Sequence, residues 1–276
     1  MPGPLEAFRI GPIAVYWYGI ILVTAMLVAS YVAAFEAKRR GENEDHVWNM
    51  LWLVIILGIV GARLYHVFSS PAGTETGWAY YRDHPWAIFD TRSGGLGIYG
   101  AVIGGVLGVL LYTYRAKLNV LRYFDIAAPA LALGQAIGRW GNFVNQELYG
   151  PPTTLPWGIK IDEFHRYPPF NDLSLYPLTT RFHPDFLYES LWTLVGAILL
   201  LVLARTWAAR LKEGDIFLLY LIWYPLGRLW VEALRPDAWK IANIPTAQII
   251  SAVLIVVAVV ALVVRHRPQP QAQPAQ

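Results

Sequence analysis

Apolar residues in this chain fall in long unbroken blocks, without the two-residue alternation of half-buried strands or the narrow stripe of a soluble amphipathic helix. A helix needs about 20 apolar residues to cross a hydrocarbon core of about 30 Å. Seven blocks reach that length, at roughly 12–35, 48–69, 94–114, 120–138, 186–204, 215–234 and 245–264. The fourth carries Asp125 and Pro129, and the sixth Pro225 and Arg228, so these two are the least uniform. The pattern predicts an all-α polytopic membrane protein with seven transmembrane helices.

Two intervening stretches are large. Residues 70–93 are rich in aromatics (Trp78, Tyr80, Tyr81, Trp86, Phe89), as an interfacial arm at headgroup level would be. Residues 139–185 hold seven prolines and only short apolar runs, such as 155–161, which predicts a small external head with little helix. The expected organisation is spans one to four in 1–138 with the arm, the head at 139–185, spans five to seven in 186–264, and a disordered Pro- and Gln-rich cytoplasmic tail at 265–276. The first block lacks a basic region before it and is long for a signal peptide, so it reads as an uncleaved span.

Charge sets the orientation. With the N-terminus outside, the short inner loops carry Lys38, Arg39, Arg40, Arg115, Lys117, Arg205, Arg210, Lys212, Arg265 and Arg267. That agrees with the excess of Lys and Arg in cytoplasmic loops and favours N-out, C-in. Of the 276 residues, 56% are hydrophobic and 15% charged, a membrane composition, and the net charge of +3 fits cytoplasmic anchoring rather than nucleic-acid binding. There is no cysteine, so disulfides, thiolate metal sites and a cysteine nucleophile are excluded. Any thiol chemistry would use a thiol on the substrate. No metal-ligand spacing, HExxH or GxSxG is present, and no metal or other cofactor is expected.

On this topology the polar residues of the spans lie at one depth. Tyr16 and Tyr18, Arg63 and His66, Tyr99, Arg139 and Asn142, His183, Tyr188 and Glu189, Tyr224, Arg228 and Glu232, and Gln248 all fall toward the outer side. Only Asp125 falls clearly on the inner side. Buried charge in a bilayer is costly and usually faces a cavity or a partner, so a site open to the outer leaflet is expected. Arg139 and Arg228 would place two guanidiniums there, a planar, permanently charged pair suited to a phosphate. Glu232 and Arg235 also read as a structural ion pair, and His183 as a donor at the start of span five. Gly104 and Gly108 read as close-packing positions, whereas Gly94, Gly95 and Gly97 lie where backbone could approach a ligand. These residues alone leave a transferase, a lipid transporter and a lipid-binding structural protein open.

The thirteen residues from Gly138 to Gly150 narrow the choice. Gly138-Arg139-x-Gly141-Asn142-Phe143-x-Asn145-x-Glu147-x-x-Gly150 resembles the signature of bacterial prolipoprotein diacylglyceryl transferases. Tyr16-Trp17-Tyr18-Gly19, Gly61-Ala62-Arg63-Leu64, Ser93-Gly94-Gly95-Leu96, His183-Pro184-x-x-Leu187-Tyr188-Glu189 and Tyr224-x-x-x-Arg228-x-x-x-Glu232-x-x-Arg235 resemble further blocks of that family. The resemblance implies a multi-pass enzyme of the bacterial plasma (inner) membrane, active toward its outer leaflet. It would move the diacylglyceryl group of phosphatidylglycerol to the lipobox cysteine of a preprolipoprotein signal peptide, forming a thioether and releasing glycerol 1-phosphate. Carried over residue by residue, Arg139 and Arg228 are the catalytic pair. Asn142, Asn145, Glu147, Gly150, Gly95, Tyr18, Tyr224 and Glu232 are expected to bind substrate. Many members carry a His where this chain has Tyr99. Tyr99 therefore counts with the catalytic residues, but a phenol with a reference pKa near 10 is a poor base at neutral pH. Either Tyr99 only orients substrate, the favoured reading, or an arginine-assisted phosphate oxygen takes the thiol proton.

Overall fold

The computed structural model describes residues 5–69, 77–91, 94–235, 240–241 and 244–267. Among these, seven helices are long and apolar enough to span a membrane: α1 (Trp17–Arg39), α2 (Asp45–Phe68), α4 (Ile98–Arg115), α5 (Val120–Val144), α6 (Asp185–Thr206), α7 (Asp215–Leu234) and α8 (Thr246–Arg265). The eighth, α3 (Trp78–Asp83), is a short helix in the segment expected to form the arm, followed by a 3-10 turn at Pro85–Phe89. Residues 70–76 and 92–93 of that segment, and 268–276 of the expected tail, lie outside the described residues.

Two boundaries differ from the apolar pattern. The first block does not start as helix, because β1 (Glu6–Ile10) and β2 (Ile13–Tyr16) form an antiparallel hairpin. Gly11 at φ 57° followed by Pro12 supplies its tight turn. The fourth block runs on to Val144, so Arg139 and Asn142 are helical rather than part of a loop. Gly138 and Gly141 do not stop it. At Gly141 the lack of a side chain admits Tyr18, whose ring carbon Cδ2 would lie 2.7 Å from a Cβ there.

What stops α5 is a Schellman turn: Glu147 N–H donates to Asn142 O at 3.0 Å and Gln146 N–H to Phe143 O at 3.1 Å. The left-handed residue of this turn is Gln146, at φ 53°, where glycine is the usual choice.

The described chain forms two compact units, Met1–Tyr31 with Phe124–Gln276, and Val32–Tyr123. In the second, α2 and α4 pack through glycine. A Cβ on Gly61 would lie 2.3 Å from Gly100 O, and one on Gly104 2.0 Å from Leu57 O. Such approach lets backbones pack where lipid offers no hydrophobic drive. Arg63 is buried in this unit and donates to Ile88 O at 2.7 Å and to Gly95 O at 2.9 Å, with its guanidinium over the Tyr81 ring.

In the first unit, α6, α7 and α8 pack in sequence. Asp125 of α5 caps α7, accepting from Gly214 N at 2.8 Å and Phe217 N at 2.9 Å. Between α5 and α6 lies a small aromatic core of Tyr149, Ile161, Phe170 and Phe182. Two-residue strands β3 (Ile159–Lys160) and β4 (Arg181–Phe182) pair across it. The remaining two-residue strands, β5 (Lys240–Ile241) and β6 (Ile244–Pro245), pair ahead of α8.

Candidate functional site

The chemistry-bearing residues of the first unit gather at one end of its helices. Arg139 sits in the last two turns of α5, Glu189 early in α6, Arg228 and Glu232 late in α7, and Gln248 in the first turn of α8. The other end of α7 carries Asp215, paired with Arg265 at 3.1 Å and His266 at 2.6 Å.

At the first end the charges form one continuous array. Arg228 donates Nη1 to Glu189 Oε1 at 2.5 Å and Nη2 to Glu232 Oε2. Arg139 Nη2 meets the other Glu189 oxygen, an ion contact without hydrogen-bond alignment. Arg235 Nη1 lies 3.8 Å from Glu232 Oε2. Three arginines thus alternate with two glutamates. The Glu189 and Glu232 side chains are each only 5% exposed, so neither carboxylate is hydrated in place of these partners. Buried ions without partners cost several kcal/mol each, and this array supplies the partners.

The structure changes the expected picture in one respect. Arg139 and Arg228 do come together, but through Glu189 rather than as an open pair. The sequence places Glu189 near the start of span five, at the depth of the other polar residues, but does not single it out as a catalytic or binding residue. Its only local signal is a carboxylate one to two turns inside an apolar helix.

The seam beneath the array is closed by a reciprocal contact. Trp192 of α6 and Trp223 of α7 stack with centroids 4.4 Å apart and planes at 14°. Each indole N–H donates to the other's backbone carbonyl, both at 2.9 Å. Those carbonyls are reachable because the residue one turn on is Gly196 or Gly227. A Cβ on Gly196 would lie 2.4 Å from Trp223 Cδ1, and one on Gly227 2.4 Å from Trp192 Cδ1. The same Trp-x-x-x-Gly pattern therefore appears once in each helix. The residual cavity between Trp192 and Arg228 is about 10 Å³, at the lower limit for one water.

Of the other expected residues, Asn142 Nδ2 donates to Glu147 Oε1 at 2.8 Å and Asn145 Nδ2 reaches the same oxygen at 3.4 Å. Tyr18 lies against Gly141, near the charges of Glu147 and Arg139. Tyr224 stacks on Tyr220 at 5.9 Å and borders the small cavity beside Arg228. Gly150 donates its N–H to His183 O at 2.9 Å, and its α-carbon packs on the Asp185 carboxylate, which a Cβ would approach to 2.8 Å. His183 Nδ1 pairs with Tyr188 OH at 3.0 Å, in keeping with a structural role.

Gly95 and Tyr99 belong to the second unit. Gly95 adopts φ 74°, and a Cβ there would lie 2.4 Å from Arg63 Nη1, so its backbone approaches the protein's own arginine. Tyr99 is 39% exposed and tilts against Tyr65, centroids 5.7 Å apart.

An apolar groove of about 290 Å³ lies between α1, α5 and α6, lined by Trp17, Thr24, Leu133, Trp140 and Leu194. Two of its lining residues, Trp140 and Ser190, directly follow Arg139 and Glu189 in the chain.

Residues 5–264 match the family model described as "Prolipoprotein diacylglyceryl transferase". A protein of Chloroflexus aggregans named phosphatidylglycerol–prolipoprotein diacylglyceryl transferase is 44% identical over 271 residues, covering 93% of this chain and 87% of its own. Proteins of the same name from Enterococcus faecalis and Bacillus cytotoxicus are 43% and 39% identical, each over 95% of this chain and 90% and 92% of theirs.

Proposed function

This chain belongs to the prolipoprotein diacylglyceryl transferase family, and from that premise we propose the reaction, substrates and residues that follow. It transfers the diacylglyceryl group of phosphatidylglycerol to a prolipoprotein, the first step of lipoprotein maturation. The acceptor is the lipobox cysteine of the signal peptide. The observation that carries the assignment of the site is the array of Arg139, Glu189, Arg228, Glu232 and Arg235, with an apolar groove lined by the chain neighbours Trp140 and Ser190. An anionic headgroup with fatty chains needs both features side by side.

The chemistry is a displacement at carbon. The cysteine sulfur bonds to the glyceryl carbon that carries the phosphate, and that carbon–oxygen bond breaks. The bonding pair stays on the phosphate oxygen, which takes up the thiol proton as glycerol 1-phosphate leaves. Arg139 and Arg228 stabilise the charge that grows on that oxygen, as fixed cations in a water-poor site do most effectively. Asn142, Asn145 and Glu147 shape the headgroup side, with Tyr18 and Tyr224 supporting it. Tyr99 and Gly95 act in orienting substrate. One acyl chain lies in the groove between Trp17 and Trp140. The protein sits in the bacterial inner membrane, N-terminus outside, with the array in the outer leaflet.

The test is transfer of labelled lipid from phosphatidylglycerol to a lipobox peptide, read as a mass gain on the peptide. Arg139→Ala and Arg228→Ala, still inserted and folded, are expected to lose activity by about 10²-fold or more, the usual effect of removing one stabilising donor. Normal transfer by both variants would remove the assignment. Lipid movement without a covalent product would point to a transporter instead.

A further inference from the structure

Both arms of the Arg228 fork already face carboxylates, Glu189 through Nη1 and Glu232 through Nη2. A phosphate that took hold of this fork bidentately would have to replace one of them. Glu232 lies on the same helix four residues on and is shared with Arg235 at 3.8 Å. Glu189 is the carboxylate that touches both Arg139 and Arg228, one oxygen to each.

We propose that Glu189 is the resident anion of the two-arginine site, standing where the lipid phosphate goes and exchanging with it in every turnover. This rests on the reading of the site given above and adds a gating residue to it. Two guanidiniums facing each other in a low-dielectric site repel, and an anion between them removes that repulsion. Exchange of carboxylate for phosphodiester keeps one negative group between the arginines throughout, so neither is left bare. The returning carboxylate then expels glycerol phosphate.

The helix pair dictates how the exchange occurs. Trp192 lies three residues past Glu189, and Gly227 immediately precedes Arg228. Both belong to the reciprocal indole contact, and the space beside them is about 10 Å³. α6 and α7 are therefore held at fixed separation one turn below the array. Glu189 moves by rotating its side chain, not by parting the helices.

The experiment compares wild type, Glu189→Gln and Glu189→Asp in neutral detergent, measuring phosphatidylglycerol affinity, inhibition by glycerol 1-phosphate and transfer. Gln removes the competing charge, and Asp is one methylene too short to span both arginines. Each variant is expected to bind phosphatidylglycerol at least about fivefold more tightly, a shift of roughly 1 kcal/mol. Glycerol 1-phosphate should inhibit both more strongly by a similar factor, while binding of uncharged diacylglycerol stays as in wild type. If Glu189 only props the arginines in place, both variants bind the anionic lipid more weakly, and the proposal falls. Unchanged affinity overturns it as well. Should Gln at this position not fold, Asp gives the same reading alone. A wild type that neither binds phosphatidylglycerol nor transfers it would instead remove the reading of the site.

Discussion

Gln146 holds a backbone conformation, φ 53°, that costs a non-glycine residue about 1 kcal/mol or more. Its own side chain offsets that cost. Nε2 donates to Asp162 Oδ2 at 2.6 Å, and Oε1 accepts from Asp162 N at 2.9 Å, so the turn that ends α5 is stapled to the aromatic core beyond it. Burial alone would raise the Asp162 carboxyl, but donors from His165 and Gln146 outweigh it and hold it below its ordinary value of 3.8. A carboxyl lowered in the folded state adds stability above its unfolded value and loses it as pH falls toward the folded one. The thermal midpoint in detergent should therefore drop as pH is lowered below about 4. Asp162→Asn should start lower at neutral pH and show a smaller acid-dependent fall; an unchanged profile would disprove the staple. At this scale the sequence is only partly legible. Depth along the apolar blocks singles out Arg139 and Arg228, because guanidiniums in hydrocarbon need a reason. It does not join Glu189 to them, because which side chains meet depends on how three separate helices pack. A glutamine in place of glycine in a Schellman turn also hides the true end of α5.

Helix-scale patterns are read most directly where glycine spacing fixes packing. Gly104 and Gly108 of α4 stand over Leu57 and Val54 of α2, as four-residue spacing of small residues suggests. Gly105 is a neighbour with a different environment: a Cβ there would meet Val54 Cγ1 at an ordinary 3.7 Å. Gly104→Ala should thus lower thermal stability by about 1–3 kcal/mol, the usual cost of overpacking, whereas Gly105→Ala should be near neutral. Equal effects at both positions would contradict the contact. The Trp-x-x-x-Gly pattern of α6 and α7 is equally local in sequence, yet neither copy announces its partner. Its meaning comes from the antiparallel meeting of the two helices, which periodicity along one helix does not encode. The hairpin before α1 is missed for another reason: Ile10 to Tyr16 is as apolar as a span, and only the Gly11-Pro12 turn marks the difference.

For the molecule as a whole, block length was sufficient to find seven spans, because the bilayer imposes the same length on every crossing. Direction rests on the uneven distribution of Lys and Arg. The chain has no cysteine, so single engineered thiols report on direction without background. Thr179→Cys, exposed beside the aromatic core, should react with a membrane-impermeant maleimide added outside spheroplasts. Arg210→Cys, exposed between α6 and α7, should react only after permeabilisation. The opposite pattern would invert the topology and move the arginine array to the inner leaflet.

The paired indoles also bear on traffic. A seam whose two faces are cross-bonded through their own backbones cannot open to admit a fatty chain without breaking both bonds at once. The α6–α7 boundary is then a wall, and on the proposed reading of the site lipid reaches the arginines by another route.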